Sequence, residues 1–160
     1  MTTLVIVDSH QSAIGLSAHA RAQISGNQVL SASEFVSPYK LLKSINKHNP
    51  TTVFFAWRGA LLDILSDSAK CQRIISKMHN ASIGMLIPDL QGLEASGIEA
   101  ESKLLDFVDF YLVTSSELGL LYSKRFPSKL PSGLYRDMPD TAGINEARNR
   151  KNLNREKRII

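Results

Sequence analysis

Short runs of β-branched and aromatic residues alternate along the chain with stretches whose apolar positions recur at helical spacing. Residues 3–7 (Thr-Leu-Val-Ile-Val) form the first run and close at Asp8. From about residue 13 to 24, Ile14, Leu16, Ala18, Ala20, Ala22 and Ile24 follow a loose helical pattern, and Gly26-Asn27 marks a turn. Residues 28–31 read as a short strand. Ser37-Pro38 has the form of an N-cap followed by a first-turn proline; it opens a helix on Leu41, Leu42 and Ile45 that Asn49-Pro50 stops. Residues 51–57 (Thr-Thr-Val-Phe-Phe-Ala-Trp) give the strongest strand signal. A helix with Leu61, Leu62, Ile64 and Leu65 follows, and then a second helical stretch around Cys71, Ile74, Ile75 and Met78, either separate or a continuation of it. Residues 82–87 predict a fourth strand closed by Pro88-Asp89, residues 98–107 a short amphipathic helix, and residues 110–113 a fifth strand. Ser115-Ser116-Glu117 opens a last helix through Tyr122, with either serine as its cap.

Five near-continuous apolar strands with intervening helices predict βαβ units, and so a mainly parallel sheet covered on both faces. Right-handed crossovers favour the three-layer, doubly wound α/β arrangement of a Rossmann-like domain. Ligands of such sheets bind outside the carboxyl ends of the strands. Any site is therefore expected on four loops: Asp8-Ser9-His10, Ala56-Trp57-Arg58-Gly59, Pro88-Asp89-Leu90-Gln91 and Thr114-Ser115-Ser116-Glu117.

Composition narrows the classes. With 160 residues, 43% of them hydrophobic and 21% charged, the chain has room for one ordinary domain whose core needs no staples. One cysteine, Cys71, forms no internal disulfide and fits a reducing cytosol. No run approaches the ~18–20 apolar residues that span a bilayer. The net charge of +4 is localised: residues 1–145 balance 13 basic against 13 acidic side chains. The last fifteen residues carry Arg148, Arg150, Lys151, Arg155, Lys157 and Arg158 against Glu146 and Glu156. That stretch reads as a solvated helix or linker, or as a weak contact for an anionic membrane. No aromatic residue interleaves the basic ones, which argues against nucleic acid as a partner. The expected location is cytoplasmic, peripheral to the inner membrane face if the tail makes that contact.

Several chemistries drop out. There is no G-x-G-x-x-G after the first strand, no G-x-x-x-x-G-K-[ST] and no G-x-S-x-G. His10, His19, His48 and His79 are not spaced as a metal pair, so no metal is expected. What remains is polar groups at strand ends. Asp8 and His10 stand where a general base or hydroxyl-binding pair would sit, or where a cap and a surface residue would. Trp57 and Arg58 join a flat apolar face to a planar donor, suited to a sugar ring or an anion, although core packing competes for the tryptophan. Asp89 is a loop carboxylate or a turn residue. Gly15 admits a close backbone approach, to a ligand or to a packed neighbour.

Residues 108–117 (Val-Asp-Phe-Tyr-Leu-Val-Thr-Ser-Ser-Glu), followed by a helix and by Leu130-Pro131-Ser132-Gly133-Leu134, resemble the N-terminal half of GT-B-fold glycosyltransferases of the family 4 type. Asp109, Ser116 and Glu117 match that family's first motif, and Pro131 and Gly133 its second, with Ser132 in place of asparagine. Residues 85–91 are similar to its hydrophobic-His-Asp-Leu strand end, with Pro88 replacing the histidine. The resemblance spans about residues 3–137, and its extent implies a domain of residues 1–137 and a basic segment 138–160. It also implies an acceptor-binding domain, half of a GT-B fold, in a nucleotide-sugar-dependent transferase for cell-surface polysaccharide or glycolipid. No cofactor is tightly bound; the nucleotide-sugar is a co-substrate held by a C-terminal nucleotide-binding domain that residues 138–160 would lead into, and without which the chain is inactive. The implied roles are catalytic for His10 and Asp89, binding of the sugar or glycolipid acceptor for Asp8, Trp57, Arg58, Ser116 and Glu117, and a donor-phosphate turn at Gly15.

A second resemblance is to signalling receivers, whose opening residues 4–10 (Leu-Val-Ile-Val-Asp-Ser-His) echo. The third strand ends in Ala56-Trp57 without a phosphoacceptor carboxylate, and Ser9 stands beside Asp8 where a second acid belongs. On this reading the chain is a pseudo-receiver, an interaction module that is not phosphorylated.

Overall fold

The computed structural model describes residues 2–135. The basic segment 138–160, with its expected linker and membrane roles, lies outside the described residues. Six strands form one all-parallel sheet: β1 (Thr3–Val7), β2 (Gln28–Ser31), β3 (Thr52–Phe55), β4 (Ser82–Ile87), β5 (Phe110–Val113) and β6 (Gly133–Leu134). Their order is β2-β1-β3-β4-β5-β6. Six α-helices connect them: α1 (Ala13–Ser25), α2 (Pro38–His48), α3 (Arg58–Asp67), α4 (Ala69–Ser76), α5 (Ile98–Phe107) and α6 (Ser116–Arg125). This is the expected three-layer, doubly wound α/β fold of Rossmann-like type.

Alternation along the strands sets the two faces. Leu4, Ile6, Val53, Phe55, Met85, Ile87, Tyr111 and Val113 point to one side and join the larger core with Leu42, Ile45, Leu61, Ile64, Ile75, Leu105 and Tyr122. Val5, Val7, Phe54, Ala56 and Leu86 point to the other, where Ala18 of α1 meets them. The chain moves one way from β1 to β2 and the other way from β2, past β1, through β3 to β6, so right-handed crossovers put α1 alone on its face and α2–α6 opposite.

Local chemistry fixes the element ends. Ser12, Ser37, Ser68 and Ser115 each accept a backbone N–H of the first turn of α1, α2, α4 and α6. Gly26 ends α1 at φ 72°, and Asn49 ends α2 at φ 46°, both left-handed.

Two expectations need correction, and two open alternatives are resolved. The sheet has a sixth strand, because the Pro131–Gly133 segment returns to pair with β5: Leu112 aligns with Gly133 and Val113 with Leu134. The third strand stops at Phe55; Ala56 donates back to the Phe54 carbonyl and turns the chain. The helical stretch after it is two helices, broken where extended Ser68 caps α4. Of the two candidate caps of the last helix, Ser115 is the cap and Ser116 lies inside.

Candidate functional site

The chain leaves β1 on one side and β3 on the other, so the loops after these adjacent strands diverge at the carboxyl edge. A cleft of about 460 Å³ opens there, lined by Asp8, Ser9, Ser33, Val36, Trp57 and Asp63 among others. Its position follows from topology; its chemistry follows from how each loop is tied down.

The loop after β1 is held by its own backbone. The Asp8 carbonyl accepts from the Ser33 N–H (3.0 Å) and the Ser31 hydroxyl (3.1 Å), anchoring it to the end of β2. The Asp8 carboxylate lies within hydrogen-bond distance of the Ser12 hydroxyl, which also accepts from the Gly15 N–H. Gly15 is buried against this loop: a Cβ there would stand 2.0 Å from the Ser9 carbonyl oxygen and 3.0 Å from that of His10. The close approach that Gly15 allows is thus to the chain's own carbonyls.

His10 turns away from the cleft. Its Nδ1 lies 2.6 Å from His19 Nε2 on α1, and its Nε2 lies 3.0 Å from Glu34 Oε1 just after β2. One proton sits between the two rings, since a hydrogen bond needs one donor and one acceptor. Both ring nitrogens of His10 are engaged within the protein.

Trp57 forms the wall between two clefts. Its N–H donates to the Ile6 carbonyl (3.2 Å), which fixes the chain as it enters α3. The indole packs over Gly59, where a Cβ would come within 2.7 Å of the ring. It remains 38% exposed, which replaces the expected core role with a position at the cleft. The second cleft, about 490 Å³, runs from Trp57 along Arg58, Pro88, Asp89 and Gln91 to the start of α5.

Arg58 reaches beneath that second cleft into an acidic network. Its guanidinium lies 3.0 Å from Glu101 Oε1 and 3.2 Å from Asp89 Oδ1, with the Tyr122 hydroxyl at 3.4 Å. Glu101, on α5, is only 3% exposed and accepts from the Tyr122 hydroxyl at 2.7 Å. Burial, and then the Glu101 carboxylate, push the Tyr122 phenol well above the ordinary tyrosine range. Asp89 also accepts from the Gln91 N–H at 3.0 Å, closing a turn after β4.

Ser116 and Glu117 are exposed in the first turn of α6 and line neither cleft. Asp109 serves the opposite edge of the sheet, where its carboxylate accepts from the Ile83 N–H at 2.7 Å. The structure therefore brings Asp8 and Trp57 to the first cleft, and Arg58 and Asp89 with Trp57 to the second. His10 and Gly15 support the loop behind. Sequence reasoning missed Asp63, Glu101, Tyr122, Glu34 and His19. Asp63 was within reach of it, since it lies one helical turn beyond Ala60, another residue lining the first cleft.

Among the described residues, no group of three or more His, Cys, Asp or Glu is placed to hold a metal ion. No described helix is long and apolar enough to cross a membrane. No protein-family model matches the chain, and no curated protein matches it.

Proposed function

We propose that this chain is the acceptor-side domain of a nucleotide-sugar-dependent glycosyltransferase that builds a cell-surface polysaccharide or glycolipid. The observation that carries this reading is the first cleft, where a half-exposed tryptophan, Trp57, shares the lining with Asp8, Asp63, Ser9, Ser33 and Ser37. Aromatic rings stack on the apolar face of a pyranose, while carboxylates and hydroxyls bind its hydroxyl groups.

Within this reading Asp8 takes the proton-accepting role toward the acceptor hydroxyl, because Asp8 is among the residues lining the cleft and His10 is not. His10, between Glu34 and His19, holds the loop that presents Asp8. Asp89 and the rim of the second cleft orient the rest of the acceptor. No lysine or arginine lines the first cleft among the described residues, and Arg58 is already paired with two carboxylates. The donor diphosphate is therefore assigned to a separate nucleotide-binding domain, and the chain is expected to bind acceptor without turning it over alone.

Trp57 is the only tryptophan in the sequence, so its fluorescence reports the cleft directly. Titration with a panel of pyranose oligosaccharides should give a saturable change in emission and saturation transfer to sugar ring protons. Asp8→Asn should weaken binding about tenfold or more, the scale of a lost charged hydrogen bond, and Trp57→Ala should abolish the saturation transfer. A panel that moves neither signal rejects the reading.

The strand order β2-β1-β3-β4-β5 favours a second reading, the pseudo-receiver, since receivers share that order. It expects no saccharide binding, and saturable association with a protein partner.

A further inference from the structure

Helix α6 lies at one edge of the sheet, since it connects β5 to the edge strand β6. Its inner face is buried through Leu118, Gly119 and Tyr122. The outer face is not polar throughout, as the solvent side of a surface helix would be: Leu120 is 64% exposed and Leu121 43%. With Leu130 and Leu134 they make up four of the nine large apolar side chains exposed among the described residues. Leu134 aligns with Val113, which joins the larger core, so it stands on the α6 side of the sheet. Apolar exposure is thus gathered at the one edge where β6 has a strand partner on one side only.

The charges on the outer face of α6 are ordered. Glu117 lies in the first turn and Lys124 and Arg125 in the last, all exposed. Glu117, Leu120, Leu121 and Lys124 follow the i, i+3, i+4, i+7 spacing of a single helical face. Glu117 and Lys124 stand equally far, about 5 Å along the axis, on either side of the midpoint between the two leucines. Among the described residues, none of the three charges is in an ion pair. None of these residues lines either cleft. The order along this face, acid, two leucines, base, is its own complement under a twofold rotation.

We propose that the outer face of α6 is a contact surface for a second copy of this chain, the two α6 helices packing antiparallel across a twofold axis that passes between Leu120 and Leu121. Leu120 of each copy then meets Leu121 of the other, and Glu117 of each meets Lys124 of the other, with Arg125 beside it. Two equivalent ion pairs flank the apolar contact, and the antiparallel helix dipoles attract. Parallel packing would instead set Glu117 against Glu117 and bring like helix ends together, so the charge order selects one direction. A face of this size fits a weak, reversible dimer rather than an obligate one. The inference does not rest on the glycosyltransferase reading.

The test is sedimentation equilibrium of the full chain from ~1 µM to ~1 mM. The mass should rise from one chain to two, with a Kd on the order of 100 µM. Leu120→Arg, at an exposed position, should abolish the rise and leave the urea midpoint of the dilute protein unchanged. Glu117→Lys makes the face wholly basic, and Lys124→Glu with Arg125→Glu makes it wholly acidic; each variant should self-associate about tenfold more weakly or worse. An equimolar mixture of the two should dimerise at least as tightly as the unaltered chain, because each basic face then meets an acidic one. The proposal is overturned by a single-chain mass up to ~1 mM, or by growth past two chains, since a twofold contact closes. A rise that survives Leu120→Arg overturns it too, by placing the contact on another face. So does a nuclear Overhauser contact of Leu120 or Leu121 with residues 136–160 in dilute protein, which would make the chain its own occupant. A mixture no tighter than its components rejects it independently of the leucine variant.

Discussion

Arg58 stands at the edge of a cleft, where a cation would serve an anionic ligand, yet its side chain is 14% exposed and held by Glu101 and Asp89. The two carboxylates are not equivalent. Glu101 is 4% exposed at its side chain and Asp89 46%. Removing the guanidinium leaves a buried carboxylate with only the Tyr122 hydroxyl, so Arg58→Ala should cost about 3–5 kcal/mol. Asp89→Asn breaks only a solvent-screened pair and should cost less than about 1 kcal/mol. Urea denaturation with unchanged slope measures both. Equal small losses would mean that Glu101 is not held by Arg58. The asymmetry also makes Asp89 the useful probe of ligand binding, because its substitution leaves the fold in place. Only half of this network was legible beforehand. Arg58 and Asp89 lie just beyond apolar strands and announce themselves, but Glu101 and Tyr122 look like ordinary polar positions of amphipathic helices. Only the close approach of α5 and α6 makes them partners. Glu34 and His19 were hidden for the same reason, being brought to His10 by packing.

At the scale of elements, most of the fold was legible because each boundary has a local cause: β-branched runs for the strands, serine caps and left-handed Gly26 or Asn49 for the helices. The misses are places where tertiary contact decides. β6 has two exposed residues and no periodicity of its own; pairing with β5 alone makes it a strand. Ala56 and Trp57 are apolar enough to extend β3, but the chain must turn there to start α3. Gly84 is another element-level device. A Cβ at this position of β4 would stand 2.2 Å from the Phe110 ring of the adjacent strand, so the glycine makes the hollow that the ring fills. Gly84→Ala should therefore destabilise by about 1–3 kcal/mol through overpacking. Gly84→Ala combined with Phe110→Leu should lose less than the two single costs added together, since the smaller side chain vacates the hollow. Strict additivity in thermal or urea unfolding would place the strain elsewhere.

For the whole molecule, the larger core carries three acidic protons that folding holds in place. Burial, and then the hydrogen bond to Asp67, raise the Cys71 thiol above its ordinary 9.0. Burial, with the Glu101 charge behind it, pushes the Tyr111 phenol from 10.0 up to about 12, and Tyr122 is raised further by burial, its hydrogen bond to Glu101 and that carboxylate's charge. These groups stay protonated in the folded chain after the unfolded chain has released them. Stability changes with pH in proportion to the protons bound by the unfolded state minus those bound by the folded state, and here that difference is negative. Stability is therefore full below about pH 9 and falls as pH rises, first through the thiol and then, above about pH 10, through the two phenols. Urea midpoints across this range should decline in those two stages. Cys71→Ala should remove the earlier stage, and Tyr122→Phe should shrink the later one while sparing the earlier. The late phenols should also show as tyrosinate absorbance that appears only as the fold is lost. A thiol reagent gives an independent reading of the same core: Cys71 is fully buried, so it should react in proportion to the unfolded population. Rapid labelling at neutral pH, or midpoints that stay level into alkali, would show that this core admits water where the packing excludes it.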